Sequence, residues 1–435
     1  MFKGHPKGLY VLFFTEMWER FSFYSMLALF ALYMSAPESE GGLGWHEDHA
    51  SHVYGLYIGL VYFTPFFGGL IADHLTGYRR AILIGGVFFC IGHLLLAVEH
   101  MVAFYSALGF LIIGNGLFKP NISTMVGRLY PPGSPKRDSA FNIFYMGINT
   151  GALIAPLVAS YLAKHLGWHY GFGAAAVGMF VSVIVFSLTS KHLAHADRHS
   201  GEVEQAASEE DVPRDVQRRR VIALFVIYGI VILFWMAFHQ NGVTLNYWAR
   251  DNTWWFSASE TVAEQPHPSI TQAFNPAFVI LFTFLVVPFW AMLRRRGKEP
   301  STPGKVGIGM LLTAAAFGIM GLAGLVGGDA GRVWVGWLIG GYAVVTLGEL
   351  CLSPMGLSLV TKLAPRRHSG LMMGLWFVAT ALGNYLSGLL GTFWKSWLHS
   401  NFFFFLVGSS LFAAAILLVF LPFLKRAMPE EKAPS

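Results

Sequence analysis

The chain has 435 residues, 54% of them apolar and only 12% charged, with a mean hydropathy of +0.53. An ordinary soluble domain carries about 25% charged residues. This composition therefore excludes a soluble enzyme, a nucleic-acid binder, a disordered scaffold and a small disulfide-stapled secreted protein. The formal charge of +6, in so apolar a chain, is a topology signal more than an affinity for polyanions.

About 20 apolar residues cross a bilayer. Long apolar runs broken by charged or Pro/Gly-rich stretches predict twelve spans, at 9–34, 52–72, 81–99, 103–127, 139–163, 169–190, 221–248, 273–293, 306–327, 333–357, 369–394 and 400–424. The first run starts after only eight residues and carries charges in its middle, unlike a cleavable signal peptide. The polar stretch 191–220 divides the chain into a first six-helix bundle (1–190) and a second (221–435), joined by a linker on the cytoplasmic side. Within that linker, SGEVEQAASEED has the composition of a solvated tether. With the N-terminus inside, 24 of the 30 Lys and Arg residues fall in cytoplasmic segments and only Lys164, Arg250, Arg332 and Lys395 fall outside. That asymmetry predicts an all-α polytopic protein of the cell (inner) membrane with both termini in the cytoplasm. Cys90 and Cys351 lie inside apolar runs and are expected as buried thiols.

Five charged residues stand well inside the spans: Glu16, Glu19, Arg20, Lys119 and Glu349. Each costs about 2.5–3.5 kcal/mol on the insertion scale, so each must pair or face a watery cavity. Glu16, Glu19 and Arg20, spaced i, i+3, i+4, share one face of the first helix, which continues through Phe23, Tyr24 and Leu27. Lys119 precedes Pro120, and Glu349 stands four residues before Ser353-Pro354, so both helices are expected to bend or open there. The five charges sum to −1. One proton would neutralise the set, and a zwitterion adds no net charge while offering an ammonium to Glu349 and a carboxylate to Arg20 and Lys119. The chemistry points to a proton-coupled carrier of zwitterions.

The motifs carry the reading further. Glu16-Met17-Trp18-Glu19-Arg20-Phe21 resembles the ExxERF motif of the proton-dependent oligopeptide transporters, a family within the major facilitator superfamily. GGLIADHLTGYRR (68–80) is similar to the superfamily's loop 2–3 motif. GNGLFKPNIS (114–123), FNIFYMGINTGALIAP (141–156), FWMAFHQNG (234–242), QAFNPAF (272–278), GELCLSPMGLSLVTKLAP (348–365) and LMMGLWFVATALGN (371–384) resemble further family signatures. The resemblance implies the major facilitator fold and proton-driven symport of di- and tripeptides by alternating access. It implies no catalytic residue, no metal and no cofactor beyond the proton, and a chain that works as a monomer in the bilayer. By motif position, Arg20 and Lys119 would take the peptide carboxylate and Glu349 its amino group. Tyr24, Tyr62, Asn149, Trp235, Asn275 and Trp376 would line the pocket, and Glu16, Glu19 and Arg20 would carry the coupling.

Three departures stand out. The family usually has Tyr where this chain has Phe23, often Arg where Leu27 stands, and an acid where His239 stands. The last two are thought to pair in the family, and losing both strands no charge. His239 is then a candidate second proton site, since its unperturbed pKa of about 6.5 lies near working pH. The histidines at 46, 49 and 52 and at 192, 195 and 199 fall in loops or at helix ends and are read as solvated. His93 is read as a hydrogen-bonded packing residue. Two alternatives stay open: a same-fold carrier of another small organic solute or anion, and a non-transporting sensor.

Overall fold

In a computed structural model, residues 4–131, 136–197, 213–259, 261, 264–328, 331–364 and 369–427 are described. The tether at 198–212 and the bases Arg366, Arg367 and Lys432 lie outside these residues. The chain is almost wholly helical. The first seven α-helices are α1 (Lys7–Ser35), α2 (Glu47–Phe63), α3 (Pro65–Ile71), α4 (Tyr78–Leu96), α5 (Met101–Arg128), α6 (Lys136–Leu166) and α7 (Trp168–Thr189). The remaining seven are α8 (Arg214–Phe238), α9 (Thr244–Asp251), α10 (Phe274–Arg295), α11 (Thr302–Gly327), α12 (Gly336–Leu363), α13 (Ser369–Gly391) and α14 (His399–Ala427).

Two predicted spans are each built from two helices. The second span is α2 continued by α3 and a π turn at 72–76, and the seventh is α8 and α9 joined by a 3-10 turn at His239–Gly242. Among the described residues, eleven helical segments are long and apolar enough to cross a membrane. The twelfth rod, α1, has 29 residues, about 43 Å at 1.5 Å each, and Glu16, Glu19 and Arg20 break its apolar run. The ends of the polar stretch 191–220 are themselves helical, because Ser190–Ala196 continues as a 3-10 turn and α8 begins at Arg214. A short parallel pair, Thr253 with Val333 and Trp254 with Trp334, makes the first two residues of the predicted span 333–357 extended, and the helix starts at Gly336.

The expected openings at the prolines are not seen: α5 runs unbroken through Pro120, and α12 through Pro354. Near Pro120 the reason is visible in the packing. A proline leaves the carbonyl four residues earlier without its helical donor. Pro65 does this to Val61, whose oxygen instead accepts from Asn115 Nδ2 at 2.6 Å. Pro120 does it to Gly116, and the Cα of Gly68 packs so tightly there that a Cβ on Gly68 would overlap the Gly116 carbonyl. Thr64 Oγ1 also donates to Ile112 O at 3.0 Å. Each helix thus covers the backbone that the other's proline exposes, which fixes α5 against α2 and α3.

The helices form two groups. In the first, α4–α5, α1–α6 and α1–α7 pack most extensively, and in the second α11–α12, α11–α14 and α8–α13. Most recorded contacts between the groups lie at the end remote from the N-terminus. There Glu47 pairs with Arg250 at 2.6 Å and with Lys395 at 3.3 Å, Arg250 donates to Ser35 Oγ at 3.1 Å, and Ser160 meets Ser269 at 2.7 Å. A Cβ on Gly55 would lie 2.7 Å from the Cα of Gly388, so α2 and α13 touch backbone to backbone. Nearer the N-terminal end, Phe66 of α3 packs on Gly374 of α13.

Both cysteines are free and buried, as their apolar settings required. His93 is buried and stacked on Phe89 at 6.0 Å, but neither ring nitrogen has a hydrogen-bond partner, which corrects the hydrogen-bonded reading.

Candidate functional site

Helix α1 delivers three charges to the interior of the first group. Glu16, Glu19 and Arg20 are 2%, 0% and 2% exposed, so none is solvated from the surface. The i, i+4 spacing places Arg20 Nε 3.3 Å from Glu16 Oε1. Arg20 also grips Glu19 with two parallel bonds, Nη2 donating to Oε1 at 2.6 Å and Nε donating to Oε2. Adjacent helical residues do not normally face one another, so face-counting does not find that second clamp. A fork-to-fork pairing of this kind is charge-assisted and directional. The other Glu16 oxygen, Oε2, is buried without a partner. Arg20 lies over the Phe23 ring at 4.9 Å and is 6.0 Å from the ring of Tyr24. Phe23, which lacks the hydroxyl of the resembled motif, still supplies an aromatic face to the guanidinium.

Lys119 sits on α5 where the reciprocal proline packing holds it beside α2. Its ammonium stands 4.1 Å above the Tyr62 ring, and it forms no ion pair among the described residues. Tyr62 in turn meets His239 edge-on at 5.9 Å, and His239 lies 5.3 Å from Trp235 and 5.6 Å from Phe238. His239 caps α8, is buried, and has no hydrogen-bond partner on either ring nitrogen. The recorded ring contacts of His239 are thus aromatic, with no contact to the α1 carboxylates among them.

On the second group, Glu349 accepts from Asn275 Nδ2 at 2.8 Å, and the same amide lies 3.0 Å from Thr346 Oγ1. No cation is paired with Glu349 among the described residues. It faces a cleft lined on one side by Tyr24, Tyr145 and Asn149 and on the other by Asn241, Gln272 and Asn275. Both groups of helices contribute walls, so any movement between them changes the cleft.

Of the residues singled out from sequence, Tyr24, Asn149, Asn275 and Glu349 line this cleft. Arg20 adjoins it through Tyr24, while Lys119, Tyr62, His239 and Trp235 form a chain of cation and rings. Trp376 is elsewhere: it packs over Gly356 of α12 and 6.5 Å from Tyr228, inside the second group. The sequence reading passed over Tyr145, Asn241 and Gln272. Tyr145 was within reach, because Tyr145, Asn149, Ala152 and Pro156 follow at i, i+4, i+7 and i+11 on one face of α6. Asn241 was not, since its direction depends on the 3-10 turn that interrupts the seventh span.

Residues 79–209 and 201–401 match the family model PTR2, described as the POT family. The chain is 36% identical to the uncharacterized transporter YclF of Bacillus subtilis (strain 168), over 98% of this chain and 96% of the relative. It is 34% identical to the peptide transporter YePEPT of Yersinia enterocolitica, over 90% of this chain and 88% of that protein. Among solved structures, a POT family transporter in complex with 5-aminolevulinic acid superposes with a TM-score of 0.87 at 31% identity, covering 98% of each chain.

Proposed function

The chain belongs to the POT family of transporters, built on the major facilitator fold, and we propose that it is a proton-coupled symporter that imports di- and tripeptides by alternating access. The observation that carries this reading is the division of charge between the two groups of helices. An unpaired carboxylate, Glu349, lies on one group of helices among the amides and tyrosines of the cleft, and an unpaired ammonium, Lys119, lies on the other over the Tyr62 ring. A zwitterion spanning the two groups satisfies both charges at once. Its amine meets Glu349 and its carboxylate reaches Lys119 and Arg20, each as a charge-assisted contact. Tyr24, Tyr62, Asn149, Trp235 and Asn275 orient and enclose the solute.

Coupling resides on helix α1. With Glu19 ionised, the Nε/Nη2 edge of Arg20 is occupied and is closed to a solute carboxylate. Protonation of Glu19 frees the guanidinium, so proton and carboxylate are taken up together. Glu16 holds Arg20 in place during the exchange, and His239 is a second proton site. The membrane is the cell (inner) membrane, with both chain termini in the cytoplasm, consistent with the distribution of Lys and Arg. The end sealed by Glu47, Arg250 and Lys395 is then the outer one. The cleft uses the residues of one chain, so a monomer suffices.

A second reading, a carrier of other short amine-carboxylate solutes, is favoured by the structural neighbour in complex with 5-aminolevulinic acid. One assay separates them. Purified protein in liposomes, under an inward proton gradient, is given labelled dialanine against unlabelled di- and tripeptides, N-acetylated dialanine and 5-aminolevulinic acid. Di- and tripeptides are expected to compete and the acetylated peptide to fail. Failure of every peptide, with competition by 5-aminolevulinic acid, would replace the peptide assignment.

A further inference from the structure

Helix α10 is the least enclosed of the spanning segments: only 11% of its most apolar window is buried, against 28–61% for the others. Its outward face carries Leu281, Phe284, Leu285 and Val287, which are 56–72% exposed. In a bilayer that face is solvated by acyl chains. Toward its C-terminus the face becomes a groove lined by Pro288, Ala291, Met292, Arg295 and Arg296. Positions 288, 291, 292 and 295 follow at i, i+3, i+4 and i+7, so a single stripe turns from apolar to cationic within two helical turns, about 10 Å. That is the step from acyl chains to head groups.

The charges around the groove are unevenly satisfied. Residues 294–305 hold five bases and one acid, Glu299. Glu299 accepts from Arg294 at 2.6 and 3.0 Å and from Lys305 Nζ at 2.6 Å, which uses both of its oxygens. Arg295, Arg296 and Lys298 have no acid partner among the described residues and are exposed. One cation complements a helix C-terminus. Two more at the mouth of an apolar groove ask for an anion that also has a tail.

We propose that this groove binds one anionic phospholipid, its acyl chain along Pro288, Ala291 and Met292 and its phosphate on Arg295 and Arg296. The lone acid of the segment is already occupied, so nothing in the protein competes with the phosphate. A zwitterionic lipid fits the apolar part equally but brings a cationic group toward three bases.

The test is native mass spectrometry of the full chain released from detergent with phosphatidylglycerol or phosphatidylcholine of the same acyl chains. The unmodified chain is expected to retain one phosphatidylglycerol in preference to phosphatidylcholine. Arg295→Gln with Arg296→Gln should bind it about thirtyfold more weakly, at about a fivefold loss per base near a charged membrane surface. Arg295→Lys with Arg296→Lys should keep most of the affinity and serves as the folded control. Lys425→Gln with Arg426→Gln removes two bases at the end of α14, away from the groove, and should change nothing. Equal loss in both Gln pairs, or no preference between the lipids, would overturn the proposal. Displacement of the lipid by soluble glycerol phosphate at similar concentration would also overturn it, since the tail would then contribute nothing.

Discussion

At the scale of single residues, the interior charges divide into a satisfied set and a waiting set. Arg20 is held by Glu19 and Glu16, whereas Lys119 and Glu349 have only a ring and an amide for company. Removing one partner of a buried pair is costly because the other is left uncompensated. Glu19→Gln keeps a neutral acceptor beside Arg20 and leaves Glu16 to balance its charge, so the protein should still fold. We expect it to exchange labelled for unlabelled peptide at near-normal rates, while accumulation under a proton gradient falls to a ratio of about one, as expected for a site that no longer changes charge. Accumulation that survives would remove Glu19 from the coupling step. His239, at the end of α8, bears on the same question. It stands beside the Tyr62 ring that also carries the Lys119 ammonium. His239→Gln, which cannot charge, should flatten the acid stimulation of uptake between pH 5 and 8, several-fold at pH 5 and little at pH 8. A profile matching that of the unmodified chain would reduce His239 to a packing residue.

At the scale of elements, the α2–α3–α5 junction shows how prolines are carried inside a membrane protein. Asn115 supplies the donor that Pro65 lacks, and the bare Cα of Gly68 closes over the carbonyl that Pro120 leaves free. The arrangement positions Lys119 over Tyr62, so a packing defect here reaches the site. Gly68→Ala should lower thermal stability in detergent by an amount corresponding to about 1–3 kcal/mol, the range for an overpacked contact. Gly109→Ala on the same helix α5 meets nothing within 4 Å and should be neutral or slightly stabilising. Equal melting temperatures for the two variants would show that the close approach bears no load.

At the scale of the whole molecule, the seal between the two groups is polar as well as close-packed. His267 lies in it, 5.1 Å from Trp168 and hydrogen-bonded to Ser269 at 2.8 Å. Burial, and then the nearby Lys164, push its pKa down from 6.5 to about 4. A neutral His267 is therefore what the sealed arrangement requires. Its contribution is complete above pH 6.5 and is lost as pH falls toward 4, so acid should loosen the sealed end. Spin labels at the exposed positions 170 and 256, one on each group, should report a longer distance as pH drops through that window. In His267→Gln the change should be at least halved. An identical shift in that variant would place the pH dependence elsewhere.

The sequence by itself determined the twelve-span plan, because apolar run length and the asymmetry of Lys and Arg are properties of composition that a bilayer reads directly. It also singles out the charged residues that must be paired or sheltered, because a charge inside a span is too costly to leave in lipid. Tyr24, Asn149, Asn275 and Glu349, chosen as residues, do meet at one cleft. What only the tertiary structure decided is who faces whom. The pairing of Arg20 with its immediate neighbour Glu19, the placing of Lys119 on a tyrosine ring and not on a carboxylate, and the arrival of Asn241 and Gln272 in the wall all depend on contacts between elements or on local side-chain geometry. So does the continuity of α5 through Pro120, where local propensity forecasts a break. Periodicity orients a residue on its own helix. It carries no information about the partner that the neighbouring helix brings to it.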